Sequence, residues 1–296
     1  MMRQCAFLTM DNLDDFVHYD YLLHDPLQRL GWHVTDVSWR QEGVDWNRFE
    51  IVVIRSPWDY QQDPEAFMEV LRRIEQSDAR LENPLELIRW NIDKTYLRDL
   101  EKMGIAIVPT EWGSPSRQLT EQELLEYFDC FGTDEIVIKP TISAGADDTY
   151  RLDREEARNT LDELKRVFAS RAYMVQPMMR HIIEEGEFSL IYFGEEYSHT
   201  LLKTPKKRDY RVQEEHGGRL KTVEPEWELR AVSDELITGI DPTPLYSRVD
   251  MVRHGDSFAL MELELIEPSL YFNMDPDSPE RFARFLDRWM EQQVNS

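Results

Sequence analysis

At 296 residues the chain is long enough for two or three compact units, and its 41% hydrophobic and 11% aromatic content excludes a disordered polymer. Its 58 acidic against 34 basic side chains give a net charge of −24, which disfavours non-specific contact with nucleic acid or an anionic membrane, so that an anionic ligand needs locally focused Lys and Arg. Cys5 and Cys130 lie far apart without a partner motif, which argues against a disulfide framework or zinc site, and no stretch approaches the roughly 20 apolar residues of a membrane span. Residues 1–10 lack a long apolar run after basic residues, so a soluble, unprocessed protein of the reducing cytoplasm is expected.

Residues 4 to about 88 read as an α/β unit. An apolar strand at Cys5–Leu8 and a helix ending near Gly31 are followed by strands at His33–Val37 and Glu50–Ile54, and this alternation predicts a parallel sheet. The continuously apolar Ile51–Ile54 is what a strand covered on both faces requires, and it runs into Arg55-Ser56-Pro57-Trp58-Asp59-Tyr60. Ligands of open α/β sheets collect at the carboxyl ends of strands, so Arg55 could pair with a carboxylate while Trp58 and Tyr60 wall a pocket; a proline turn with Arg55 paired to Asp59 is the alternative. Asn83-Pro84 marks a boundary, and Trp90 to Lys94 then opens a helix that runs to Met103-Gly104. A strand at Ile105–Val108 follows, and Thr120 with Glu123 forms a capping box for a helix ending near Phe128.

Glu135–Lys139 reads as a buried strand ending in a lysine, followed by the small, hydroxyl-rich loop 141–151, whose backbone N–H groups could approach an anion. Neither a Walker loop nor G-x-G-x-x-G is present. Asp153 and Glu156 cap a helix ending near Ala169, and Tyr173–Met179 is a strand stopping at Pro177, an apolar hinge or simply core. Gly186–Phe193 and Tyr197–Leu202 form a hairpin around Gly194, and Lys203–Arg211 then places five cations in nine residues. After a helix from about Trp227 to Gly239, Leu245–Val252 and Phe258–Leu265 alternate around a turn at Gly255, so that Arg248, Asp250, Glu262 and Glu264 share one face. Three carboxylates on one wall suit Mg²⁺ completed by water and phosphates, or else form a solvated face of an acidic chain. Ser278-Pro279 starts the last helix.

This ordered series, from about Arg55 to Pro268, resembles the ATP-grasp superfamily, and within it the glutathione-synthetase-like and cycloserine-pathway cyclo-ligase branch. The resemblance implies an α/β ATP-grasp fold: a substrate domain with a parallel sheet at 1–88, a central lobe at 89–178 and a C-terminal lobe carrying the metal site at 179–296. Lys94 and Lys139 match the family lysines that hold ATP phosphates, and the loop containing Ser143 and Gly145 matches the lid over them. Gln176, Pro177, Met178 and Met179 match the adenine hinge, and Glu187 the acidic residue on the ribose hydroxyls. Pro205, Arg211 and Gly217-Gly218 match a segment whose arginine stabilises the transferred phosphoryl group, so that Arg211 and Lys139 are the expected catalytic cations. Asp250, Glu262 and Glu264 match a metal triad that usually ends in Asn, so Glu264 adds a negative charge. Arg55, beside Ser56, Trp58 and Asp59, matches an arginine that grips a substrate carboxylate.

The activity so implied joins a carboxylate to an amine through an acyl phosphate, using ATP and Mg²⁺, or Mn²⁺ in its place, on a small amino-acid-like substrate. Closure within one molecule, ligation of a separate amine and a binding module without catalysis remain open. Many relatives are dimers, which leaves a homodimer open too; neither nucleic acid nor a membrane is an expected partner.

Overall fold

The computed structural model describes every residue except 1, 15, 116–118, 144–146, 207–211, 213–216 and 295–296. Four strands, β1 (Arg3–Thr9), β2 (Trp32–Ser38), β3 (Ile51–Ser56) and β4 (Arg80–Glu82), form a sheet in the order β2-β1-β3-β4, parallel throughout. Every residue of β3 is buried, as its unbroken apolar run requires. Phe67, Leu71 and Ile74 of the helix Pro64–Glu75 cover one face of this sheet with Leu8, Val52 and Ile54. The other face, through Phe7, Ile51 and Val53, packs with Phe282, Phe285 and Leu286 of the final helix, Ser278–Val294. The chain's end therefore completes the core of its beginning. That helix starts at Ser278 itself, whose hydroxyl donates to the Asp275 carbonyl at 2.7 Å, so the serine does not stand ahead of the helix as a cap.

The second sheet has the order β5-β8-β6-β7, built antiparallel from β5 (Glu111–Gly113), β6 (Glu135–Pro140), β7 (Tyr150–Asp153) and β8 (Tyr173–Pro177). Two helices, Glu121–Phe131 and Arg154–Val167, cover it, and each opens with the predicted capping box, Thr120 with Glu123 and Asp153 with Glu156. Along β6, Ile136 and Ile138 face these helices in one core cluster, so Val137 and Lys139 take the opposite face.

The third sheet, β11-β10-β9-β12-β13, is antiparallel and comprises β9 (Glu187–Phe193), β10 (Glu196–Thr204), β11 (Arg219–Thr222), β12 (Tyr246–His254) and β13 (Ser257–Glu264). Leu229, Leu236 and Ile237 of the helix Trp227–Thr238 pack against Leu190, Val249 and Leu263 on one face. Two sequence expectations change locally. The helix expected from Trp90 to Met103 is two helices, Leu85–Asn91 and Tyr96–Lys102, because the Asp93 carboxylate accepts from the Thr95 N–H at 2.9 Å and the Lys94 N–H donates to Thr141 O at 2.8 Å. Residues 105–108 make only one bridge, Ile107 to Leu260, rather than a full strand. Among the described residues no helix is long and apolar enough to cross a membrane.

Behind the third sheet, β10 buries His199, which is 3% exposed with its Nδ1 2.9 Å from the Ser198 hydroxyl. Burial outweighs the opposing attraction of Asp275 and lowers the imidazole from 6.5 to about 4. A depressed folded-state value means that the unfolded chain takes up this proton first. Stability present above pH 6.5 is therefore lost as pH falls towards 4, by about 3 kcal/mol for a shift of this size. Equilibrium unfolding of wild type and His199→Gln across that window should show a shallower pH slope in the variant; parallel slopes would contradict the assignment.

Candidate active site

Alternation along the third sheet brings its charged residues to a single face. In the strand register Arg248 lies opposite Glu264, Asp250 opposite both Glu262 and Ser189, and Lys203 opposite Glu187. The neighbouring side chains, Val249, Met251 and Leu263, point into the core. Gly186, at φ +128°, immediately precedes β9 where any Cβ would lie 2.6 Å from the Lys203 carbonyl oxygen, so glycine is needed there for Glu187 to approach Lys203 this closely.

The face is a lattice of alternating charge. Arg248 Nη2 is 2.8 Å from Asp250 and also binds Glu264, while Lys203 Nζ is 2.9 Å from Glu187 and 3.3 Å from Asp250. The Ser189 hydroxyl donates to Asp250. Burial alone would raise the Asp250 carboxyl, but Arg248, Lys203 and Ser189 overcome it and hold the group at about 2. Glu264 goes the other way: burial, with Glu262 and Asp250 nearby, outweighs Arg248 and pushes it up to about 7.

Lys94 and Lys139 line the same cavity as these carboxylates. Lys94, at the break between two helices, donates from Nζ to Ser143 O at 2.7 Å and lies 3.2 Å from Glu262 Oε1. Lys139 makes no ion pair among the described residues; burial and the Lys94 charge lower its pKa, with Glu262 and Glu187 opposing. Such a lysine is short of an anion. Ser143, Gln176, Pro177, Met178 and Met179 line the same cavity, of about 1290 Å³. The Met178 N–H already donates to Glu135 O at 3.0 Å, and the Gln176 amide donates to Thr110 at 3.0 Å. Gly145 and Arg211 lie outside the described residues.

The third side of the cavity comes from the parallel-sheet domain. Trp58 and Asp59 line it as expected. Trp58 donates to the Glu267 carbonyl at 2.9 Å and its ring lies 5.7 Å from Phe16, while Asp59 is held by Trp39 at 2.6 Å and Arg40 at 2.9 Å. Arg55 and Ser56 are not among the lining residues. Arg55 is 1% exposed and gives Nε and Nη2 to Asp20 at 3.0 Å and Nη2 to the Pro268 carbonyl at 3.1 Å. In this arrangement the guanidinium does not line the cavity, and it pairs with Asp20, 35 residues upstream, rather than with Asp59, while its Nη1 is buried without a partner among the described residues. Ser56 is likewise fully buried.

Tyr60 lines the cavity as expected, and Arg248, Lys203, Glu267 and Tyr271 are charged or aromatic lining residues to which the sequence reading gave no role in the site. Tyr271 adopts φ +49° beneath two cations, Lys203 at 5.7 Å and Arg248 at 5.8 Å from its ring. A non-glycine residue there costs on the order of 1–3 kcal/mol and is typical of functional sites. Lys203 carried a signal, as the first cation of the basic run, but Tyr271 carried none.

Asp250, Glu262 and Glu264 offer only hard oxygen donors on the cavity wall, a set that suits Mg²⁺. Among the described residues, no three acidic, His or Cys side chains are grouped to hold a metal ion as placed. Arg248 and Lys94 occupy the carboxylates instead, so divalent binding requires these cations to yield their contacts. The donor chemistry fits the ion, and protein cations balance its ligands in this state.

Comparison with known proteins agrees with this architecture. The family described as the N-terminal domain of D-cycloserine synthetase DcsG matches residues 5–83. The cycloserine biosynthesis protein DcsG of Streptomyces lavendulae is 31% identical over 262 residues, covering 84% of this chain and 86% of that protein. The crystal structure of D-cycloserine synthetase DcsG superposes with a TM-score of 0.86 at 28% identity, over 97% of this chain and 99% of the other. A RimK-domain ATP-grasp protein from Sphaerobacter thermophilus (TM-score 0.71, 13% identity, 95% and 98% covered) shares the fold alone. So does the D-alanine–D-alanine ligase of Bacillus anthracis (0.70, 12%, 99% and 98%). With a relative of that identity and coverage, the chain belongs to the DcsG family of ATP-grasp ligases.

Proposed function

We propose that this ligase uses ATP to phosphorylate the carboxylate of an amino-acid-like substrate and then closes an amide bond within the same molecule. The observation that carries this reading is that one cavity combines Lys139, without an ion pair among the described residues, with a wall of Asp250, Glu262 and Glu264. A triphosphate needs both: cations for its oxygens, and carboxylates for the Mg²⁺, or Mn²⁺, that accompanies it. The ion would be held by those three carboxylates and would neutralise charge as the γ-phosphoryl group moves.

In the first step a substrate carboxylate oxygen forms a bond to the γ-phosphorus and the bond to the β-phosphate oxygen breaks, releasing ADP. The amine nitrogen then bonds to the acyl carbon, phosphate departs with the acyl C–O pair, and the amine proton passes to phosphate or water. A carboxylate does not react with an amine at neutral pH without such activation. Lys94 and Lys139 are assigned to the phosphates, Gln176–Met179 to the base, Glu187 to the ribose and Arg211 to the phosphoryl group. Arg248 and Lys203, already among the carboxylates, are further cations of the cavity for the charge that develops. Since Arg55 is sequestered, a substrate carboxylate falls to these two rather than to it.

Closure within one molecule rests on the relationship to the D-cycloserine synthetase DcsG. Phosphate release from Mg-ATP tests it across D- and L-amino acids, hydroxyamino-acid derivatives and small dipeptides, singly and in pairs. Release with a single compound and a product lighter by one water is expected. Release only with pairs would establish joining of separate molecules instead, and nucleotide binding without release from any mixture would leave a non-catalytic module.

A further inference from the structure

We propose that Glu267 is the receptor for the ammonium group of the substrate. This rests on the reading of the chain as a ligase for amino-acid-like compounds, and it names the group that distinguishes them from other carboxylic acids.

The argument starts from charge. Each of the other buried or half-buried carboxylates lining the cavity has a cation: Glu187 and Asp250 have Lys203, Glu262 has Lys94, Glu264 has Arg248 and Asp59 has Arg40. Glu267 lines the same cavity, half-buried, with no cation in salt-bridge range among the described residues. The Tyr60 phenol donates to it, yet burial, with Glu264 and Glu262 nearby, outweighs Lys94 and this bond and pushes the carboxyl up to about 8. With no cation in contact, the group becomes an anion at neutral pH when a cation arrives with a ligand.

Its placement is also built. Trp58 holds the Glu267 carbonyl at 2.9 Å, and the buried Arg55 holds the next carbonyl, Pro268 O, at 3.1 Å. Trp58 and Arg55 thus hold two successive carbonyls, those of Glu267 and of the residue after it. This gives Arg55 a different task from gripping substrate: it positions the loop that presents Glu267. Beside Tyr60, Gln61 also lines the cavity, and its Oε1 is buried without a hydrogen-bond partner. A carboxylate and an orphan carbonyl oxygen both require donors, and an ammonium supplies three. The cations that would hold the opposite end of the substrate, Arg248 and Lys203, line the same cavity, so an amino acid can span from one pole to the other.

The test compares ligands that differ only in this group. D-Serine and D-alanine, with the hydroxy acids D-glycerate and D-lactate, are titrated calorimetrically into wild type and Glu267→Gln, each saturated with Mg-ADP. Wild type should bind the amino acids about 10- to 100-fold more tightly than the hydroxy acids, the range for a charge-assisted hydrogen bond. In the variant this ratio should fall to near one with the affinity for Mg-ADP unchanged. If Glu267→Gln loses Mg-ADP binding, Glu267→Asp is measured instead, with weakened amino-acid binding expected. Wild-type discrimination in the variant, or no preference for the amino acids in wild type, overturns the proposal. The titrations need no turnover, so absence of phosphate release from any panel compound would count against the ligase reading alone.

Discussion

Glu262→Ala should abolish phosphate release, lowering kcat/KM by about 1000-fold or more, the scale for losing several kcal/mol of charge stabilisation in the transition state. Glu262 sits where the two halves of the site meet: it belongs to the carboxylate wall of β13, yet its Oε1 lies 3.2 Å from Lys94 Nζ. Burial raises its pKa, but Lys94 and Lys139 prevail and lower it, so the group is an anion at neutral pH. Removing it takes one oxygen ligand from the proposed ion and leaves two lysines facing each other without that anion. Lys139, already lowered by burial and by Lys94, would be lowered further. Glu262→Gln separates charge from shape, and it should lose turnover nearly as fully while melting close to wild type. Measurement of phosphate release beside thermal unfolding and calorimetric Mg-ATP binding distinguishes loss of chemistry from loss of fold. Phosphate release at the wild-type rate in either variant would remove the carboxylate wall from the mechanism.

The contrast between Glu262 and Arg55 indicates what can be read from a sequence of this kind. The two alternating segments around Gly255 require Arg248, Asp250, Glu262 and Glu264 to share a face, because a strand has period two and only that register buries Val249, Met251 and Leu263. The capping boxes at Thr120 and Asp153 were equally legible, since a cap is contained in four consecutive residues. Arg55 was different. Its neighbour Asp59 was the partner available locally, but Arg40 and Trp39 take Asp59 while Asp20 takes Arg55, and neither choice follows from spacing. Lys94 is intermediate: its importance followed from family resemblance, whereas the helix break that frees it depends on Asp93 capping Thr95 and on a bond to Thr141 in another segment. Glu267 went unassigned because its meaning depends on which cations lie around it, a property of segments distant in sequence rather than of any one stretch.

The second large effect concerns the cation that stands in the wall. Arg248→Met should destabilise the nucleotide-free protein by about 3–5 kcal/mol, the usual result of taking one partner from a buried ion pair, and lower its melting temperature by about 10 °C. Arg248 is 7% exposed, bonds Asp250 through Nε and Nη2, holds Glu264, and donates from Nη1 to the Ser269 carbonyl at 3.3 Å. Without it, Lys203 still serves Asp250, but Glu264 loses the cation that opposes the burial and the Glu262 and Asp250 charges already pushing it up to about 7. The same loss opens the donor set. If Arg248 and a divalent ion compete for these carboxylates, millimolar Mg²⁺ without nucleotide should raise the melting temperature of Arg248→Met clearly more than that of wild type. Mutation of Glu264 to Gln in the same background should reduce that gain. Equal Mg²⁺ shifts in wild type and variant would mean that the ion does not use this wall, whereas a Mg²⁺-dependent recovery confined to the variant would identify Arg248 as the residue that balances the carboxylates until an ion arrives. Turnover should not return with stability, because the arginine is also placed to meet charge developing on the substrate.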